Sequence, residues 1–212
     1  MEVSAALAAR DPAGLELALS AARAAGVEGR RVEEALLQGY LFLGYPSALE
    51  ALALWRALSG TEAAPALGPL DEDPAGWPAR GEEVCRRVYG GQYLRLRERV
   101  RALHPELEAW MVTEGYGKVL GRPGLELRVR ELCIAALLAV LGAPRQLHAH
   151  LRGALNTGAS EEQVEEALAR VLPRAGEGEA RLARATWDGV RARWRAKRGG
   201  GATDTREDGA GE

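Results

Sequence analysis

The tightest constraint on the fold is a punctuated run between Leu125 and Leu168, where helical apolar spacing is interrupted twice by glycine. Leu127, Ile134, Leu137, Leu138 and Leu141 recur at the period of one helix face, which predicts a helix over 125–141. Gly142 suits the left-handed residue that closes a helix, and Pro144 suits the first turn of the next, so a second helix starts at once. It runs to about Asn156, and Gly158 ends it. Ser160 and Gln163 then have the spacing of a capping box for a third helix, with Val164, Ala167, Leu168 and Val171 on its apolar side. The product is a helical hairpin with His148 and His150 on its second arm. Arg130 and Glu131 lie near the base of its first arm.

The rest of the chain follows the same all-α idiom. Aromatics make up only 5% of the 212 residues, β-branched runs are few, and Ala, Leu, Arg and Glu are abundant. Ser4 to Ala25 reads as short helices interrupted at Asp11-Pro12, where Asp11 can cap, and Gly26 closes the segment. Val32 to Leu58 is helical with a break at Leu43-Gly44-Tyr45-Pro46, after which Ser47 is placed to cap a further helix. Prolines and glycines crowd 59–80, which marks a linker, with Trp77 docking on a neighbour. Glu82 to Leu103 is helical with room for a turn at Gly90-Gly91, His104-Pro105 opens the next helix, and Pro173 to Glu179 is a break. Ala180 to Arg195 is a last amphipathic helix, and from Lys197 onward the composition predicts a disordered tail.

Charge and cysteine usage narrow the partners. A net charge of -2 gives no reason to expect nucleic acid or an anionic membrane. Two cysteines far apart suggest reduced thiols in a cytoplasmic protein, not a disulfide framework. No apolar run is long enough for a membrane span, and Met1-Glu2 opens no basic leader, so neither a span nor a signal peptide is expected.

A faint internal repeat is present. Gly14-Leu-Glu-Leu17 returns as Gly124-Leu-Glu-Leu127, and Val32-Glu-Glu-Ala-Leu36 returns as Val164-Glu-Glu-Ala-Leu168. The first copy is shorter between these landmarks and lacks the arm that carries the histidines. The expected organisation is a degenerate N-terminal half-repeat (1–58), a linker (59–80), a site-bearing domain (81–196) and a tail (197–212), with the tails of the two halves exchanged in space.

Glu114-Gly-Tyr-Gly-Lys-Val119, Arg122-Pro-Gly-Leu125, Arg130-Glu-Leu132, Gln146-Leu-His-Ala-His150, Ala154-Leu155 and Gly158-Ala-Ser-Glu-Glu-Gln-Val-Glu165 together resemble the carboxymuconolactone decarboxylase family, which includes alkylhydroperoxidase D. Gly81-Glu-Glu-Val84 and Val88-Tyr-Gly-Gly91 are similar to its opening segment, so the resemblance spans roughly 81–188. Tyr40 to Leu52, with its Gly44-Tyr-Pro46 turn, resembles the segment that follows the capped helix in ordinary members. The resemblance implies the all-α, alkylhydroperoxidase D-like fold, a homo-oligomer and a small-molecule substrate.

The peroxidase branch of that family uses Glu-x11-Cys-x2-Cys-x3-His. Anchored on Glu131, this spacing puts the thiols at Ala143 and Gln146 and the histidine at His150, so both cysteines are missing. Cys133 sits in an apolar helix and, like Cys85, reads as a small buried hydrophobe. A thiol-dependent peroxidase is therefore disfavoured. The decarboxylase branch asks for a cation to hold carboxylate, donors for an oxyanion and an acid to protonate carbon. His150 is the preferred proton donor and His148 the second; they point to different faces, and only one is expected to look into a given pocket.

Arg130 or Arg122 would hold carboxylate, with Arg128 and Arg152 as further choices. Glu131 is the natural partner of the imidazole, but a hairpin folded about residue 143 leaves it displaced by about 7–8 Å of helix rise. A water or the Tyr116 hydroxyl would then bridge, while an ion pair of Glu131 with Arg128 or Arg130 is the structural alternative. His104 reads as a cap or a surface residue, and no His/Cys set for a metal is present. The expectation is cofactor-free decarboxylation or proton transfer on a small carboxylated lactone or related acid. The alternative is an inactive helical oligomer or small-molecule binder of the same fold.

Overall fold

The structure is a computed structural model in which residues 1–60 and 74–199 are described. Eleven α-helices follow in order: α1 Glu2–Ala8, α2 Pro12–Ala24, α3 Gly29–Leu37, α4 Tyr40–Ser59, α5 Trp77–Tyr89, α6 Tyr93–Leu103, α7 Pro105–Trp110, α8 Leu127–Val140, α9 Pro144–Asn156, α10 Glu161–Val171 and α11 Glu177–Gly199. A π-helical segment, Met111–Leu120, continues α7, and short 3-10 turns precede or join other helices. No strand occurs among the described residues, so the fold is all-α as expected.

Helix α8 is the axis. Every residue from Arg130 to Val140 on it is buried, the signature of a helix covered on all sides rather than along one stripe. α9 returns along it after Gly142 (φ 69°), while α1, α10 and α11 cover further flanks. Ile134, Leu137 and Leu138 of α8 share one core with Leu147 and Leu151 of α9, Val164 of α10 and Trp187 of α11. Local signals set these ends: Ser160 accepts from the Gln163 backbone while the Gln163 side chain accepts from the Ser160 N–H, completing the capping box. Asp11 caps α2 by accepting from Gly14 N at 3.0 Å. His104 caps α7 through Nδ1, which accepts from Glu106 N.

The π-segment owes its position to two glycines. A Cβ on Gly81 of α5 would collide with the Val112 carbonyl, and one on Gly117 would collide with the Trp77 carbonyl. Two backbones thus pass at a distance only glycine permits. This presses α5 against Met111–Leu120 and brings Tyr89 beside Tyr116.

The N-terminal half builds a smaller core from Leu15, Leu19, Val32, Leu36 and Trp55, and α1 joins it to α8. Of the repeat landmarks, Val32–Leu36 and Val164–Leu168 are both helical, with Val, Ala and Leu buried in each. Gly14–Leu17 lies inside α2, whereas Gly124 sits in a turn at φ 94° before α8, so the tetrads differ in conformation.

Three local expectations change. The expected break is present at Gly44, whose non-helical backbone (φ 80°, ψ 169°) kinks α4 into two helical stretches, but Ser47 donates to the Leu43 carbonyl instead of capping the second. Trp77 opens α5 with Pro78 in its first turn, so the helix begins before the expected end of the linker; 61–73 lie outside the described residues. α11 runs through Gly199, past the expected start of the tail, and 200–212 lie outside the described residues.

Candidate functional site

His150 is buried on the inward side of α9, next to Leu147 and Ala154, and its Nδ1 lies 2.8 Å from Glu131 Oε2 on α8. The bond is direct, and the expected 7–8 Å gap is absent. Gly153 supplies the reason: a Cβ there would overlap the Glu131 carboxylate, so the missing side chain one turn beyond His150 is the space the carboxylate occupies. Glu131 pairs with neither Arg128, which meets Glu126, nor Arg130. Its second oxygen, Oε1, is buried without a hydrogen-bond partner. With Glu131 accepting from Nδ1–H, Nε2 is the imidazole nitrogen left for other chemistry.

The ring lines a cavity of about 290 Å³ together with Phe42, Tyr89, Tyr116, Glu114 and Leu120. Phe42, the only phenylalanine in the chain, meets the imidazole edge-on with centroids 5.8 Å apart. The Tyr89 and Tyr116 hydroxyls are 2.7 Å apart. Burial pushes both phenols well above their ordinary pKa, and the Glu131 charge adds to the effect. Both therefore remain O–H groups; one proton is used between them and the other is left to donate. Glu114 accepts from the Tyr40 hydroxyl at 2.8 Å. Burial is the largest cause raising the Tyr40 pKa, and that hydrogen bond adds to it.

The arginines expected to hold carboxylate are elsewhere. Arg130 is fully buried; its Nη2 donates to Glu34 Oε2 at 2.8 Å and to the Arg122 and Pro123 carbonyls, and Nη1 reaches Gln38. Burial pulls its pKa below the ordinary arginine value, and the Glu34 carboxylate opposes that pull. Arg122 chelates the same Glu34 from the other side. Both guanidinium groups are consumed in a buried three-residue ion cluster tying α3 to α8, and neither lines the His150 cavity. Among the described residues no arginine or lysine lines it.

His148 points away, as the two-residue offset requires. It lines a separate open groove of about 690 Å³, and its Nε2 is 3.2 Å from Arg193 Nη1. Burial, then the Arg152 and Arg193 charges, lower its pKa below the ordinary histidine value. Cys133 and Cys85 are both buried and free, and neither lines the cavity. Burial drives the Cys85 thiol far above its usual pKa, which keeps it from being a thiolate. Among the described residues no group of three or more His, Cys, Asp or Glu is arranged for a metal ion, and no helix is long and apolar enough to cross a membrane.

Sequence reasoning missed Phe42, Tyr89, Gly153 and Glu34. Tyr40–Leu52 was the visible hint for Phe42, and the Val32–Leu36 pentad was the hint for Glu34. Gly153, inside a helix where glycine is unfavourable, was a signal of close approach left unread.

Comparison with known proteins bears on this geometry. Residues 105–188 match the profile of the Carboxymuconolactone decarboxylase family. The chain is 29% identical over 90 residues to the 4-carboxymuconolactone decarboxylase of Acinetobacter baylyi, covering 42% of this chain and 67% of that protein. It is 34% identical over 91 residues to nitrosuccinic acid decarboxylase npaB of Metarhizium robertsii, covering 42% of this chain and 62% of that protein. The matched segment holds Glu131, His150 and Tyr116; Phe42, Tyr89 and Glu34 lie outside it.

Proposed function

From a chain whose residues 105–188 carry the carboxymuconolactone decarboxylase family pattern, we propose a cofactor-free decarboxylase or proton-transfer protein acting on a small carboxylated lactone or related acid. The observation that carries the reading is the buried Nδ1–Glu131 hydrogen bond of 2.8 Å on an imidazole whose ring lines a cavity of about 290 Å³. The names of the two relatives point to loss of CO2 from small carboxylic acids.

The geometry supports the following chemistry. The C–C bond to a substrate carboxylate breaks, CO2 leaves, and the bonding pair flows into a neighbouring unsaturated carbonyl to give an enolate. The free O–H of the Tyr89–Tyr116 pair donates to that oxyanion, in a site where burial strengthens the bond. His150, protonated on both nitrogens, delivers the Nε2 proton to the enolate carbon and so neutralises the negative charge that stays behind when neutral CO2 departs, and solvent then reprotonates Nε2. Glu131 holds the ring in one tautomer and stabilises its cationic form. The carboxylate meets phenol donors, mostly apolar walls and the Glu114 carboxylate instead of a guanidinium, an environment that favours the neutral product, CO2.

Incubation of purified protein with carboxymuconolactone, and separately with nitrosuccinate, followed by ultraviolet absorbance and CO2 release, tests the reading. Turnover by the wild type that disappears in His150→Gln supports it. No turnover of either acid leaves a non-catalytic binder of the same fold. The absence of any cation in the cavity is the observation that favours this second reading.

The same reading takes the chain as a cytoplasmic homo-oligomer, with the N-terminal half a degenerate half-repeat that contributes a cavity wall. The buried free thiols suit a reducing compartment. Leu107 and Trp110, 47% and 57% exposed at the cavity mouth, give a neighbouring subunit an apolar surface to cover. Light scattering measures that assembly.

A further inference from the structure

The groove beside His148 is built differently from the cavity beside His150, and the proposed function does not use it. Three helices contribute arginines to it: Arg99 from α6, Arg145 and Arg152 from α9, and Arg193 from α11. No aspartate or glutamate among the described residues lines it. None of the four guanidinium groups pairs with a carboxylate among the described residues. Neighbouring arginines behave otherwise: Arg170 meets Glu166, Arg191 meets Glu165 and Asp188, and Arg195 meets Glu161. In a chain of net charge -2, four unneutralised cations around one hollow are a local concentration that the overall composition does not require.

The groove is also organised. Arg193 Nη1 is 3.2 Å from His148 Nε2, and since a guanidinium can only donate, the imidazole accepts there and is neutral with its proton on Nδ1. The lowered pKa of His148 agrees, since burial and the Arg152 and Arg193 charges all disfavour a further positive charge. His148 thus braces Arg193 without cancelling its charge. Arg152 is itself partly buried, so part of its desolvation cost is already met before any ligand arrives. Leu96, Leu182 and Pro144 give the hollow an apolar lining between the charged groups. Its volume of about 690 Å³ is in the range of small-molecule sites.

We propose that this groove binds a small organic polyanion: a molecule with at least two carboxylate or phosphoryl groups spaced across an apolar skeleton. The groups are met by Arg145 and Arg152 on one side and by Arg99 and Arg193 on the others, in the planar bidentate geometry that suits both oxyanions. Tyr89 lines this groove and also the His150 cavity, so the two sites share one wall while remaining separate.

Isothermal titration calorimetry of the full chain at low ionic strength tests this with tricarballylate in one arm, pyrophosphate in another and butyrate as the single-charge control. The expected result is a dissociation constant below about 1 mM for at least one polyanion, weakening as salt is raised, with no measurable heat from butyrate. Binding by tricarballylate alone assigns carboxylates, binding by pyrophosphate alone assigns phosphoryl groups, and binding by both makes charge density the determinant; each supports the groove. Arg152→Gln/Arg193→Gln is expected to weaken binding at least tenfold, while Arg181→Gln, outside the groove, and His150→Gln bind as wild type. Should the double variant fail to melt cooperatively, the exposed Arg145→Gln replaces it, with an expected loss of at least threefold. The imidazole resonances of His148 shift on titration with the binding polyanion, and those of His150 do not. Binding of neither polyanion, binding undiminished in the arginine variants, or binding lost only in His150→Gln would overturn the proposal.

Discussion

Two histidines two residues apart on α9 live in opposite electrostatic worlds. His150 faces a small cavity, bonded to a carboxylate and sharing the lining with a pair of un-ionised phenols, and no arginine or lysine among the described residues lines it. His148 faces an open groove ringed by guanidinium groups with no carboxylate. The residue type is the same and the helix is the same, so the difference comes wholly from what the fold packs against each face. Glutamate opposite one ring holds its Nδ1–H; burial, then the arginines opposite, disfavour positive charge on the other. A histidine's chemistry cannot be assigned from its spacing on a helix until the elements facing it are known.

The sharpest way to break this contrast is catalytic. If the proposed chemistry holds, His150→Gln lowers kcat for carboxymuconolactone by about 10²–10⁴, the usual worth of a positioned acid or base, while His148→Gln leaves kcat within about twofold. Equal losses in the two variants, by steady-state kinetics, would erase the distinction. Loss of both phenol hydroxyls in Tyr89→Phe/Tyr116→Phe comes next, with kcat expected to fall about 10²-fold through the missing oxyanion donor.

The third prediction concerns stability. Arg130→Met leaves Glu34 buried with only Arg122 against it, and denaturant unfolding should show a loss of about 3–5 kcal/mol. Arg145→Gln, at the rim of the groove, should change stability by less than about 0.5 kcal/mol.

The smallest effect is in pH dependence. The His148 pKa is lowered by folding, so the native state binds fewer protons than the unfolded chain at acid pH. Its contribution is fully present above about 6.5, the ordinary histidine value, and is lost as pH falls from there through the folded value. NMR titration should place the His148 midpoint below 6.5, and His148→Asn should reduce the acid sensitivity of the melting temperature across that window. A midpoint at or above 6.5 would show that the arginines do not act on the ring.

The sequence made legible what short-range chemistry decides. The capping box at Ser160, the Asp11 cap, the Gly142-Ala143-Pro144 bend and the limits of α9 all depend on residues within one or two turns of each other. It did not make legible what distant residues decide. Arg130 reads as a free cation until Glu34, 96 residues away, is seen to claim it. The Glu131–His150 bond reads as too long because helix rise was counted without allowing for how closely two helices approach over Gly153. Phe42 enters the site from α4, across a linker that no periodicity bridges.

The buried cluster of Glu34, Arg122 and Arg130 has a consequence for where this protein can be cut. The match to the family profile begins at 105, yet the counter-charge for the most enclosed cation within it is supplied from α3. A fragment trimmed to the recognisable span would take Glu34 and Gln38 from Arg130, uncover the flank of α8 that α1 packs on, and remove the Phe42 and Tyr89 walls of the hollow beside His150. The family match has its border at 105, whereas the ion cluster runs straight across it.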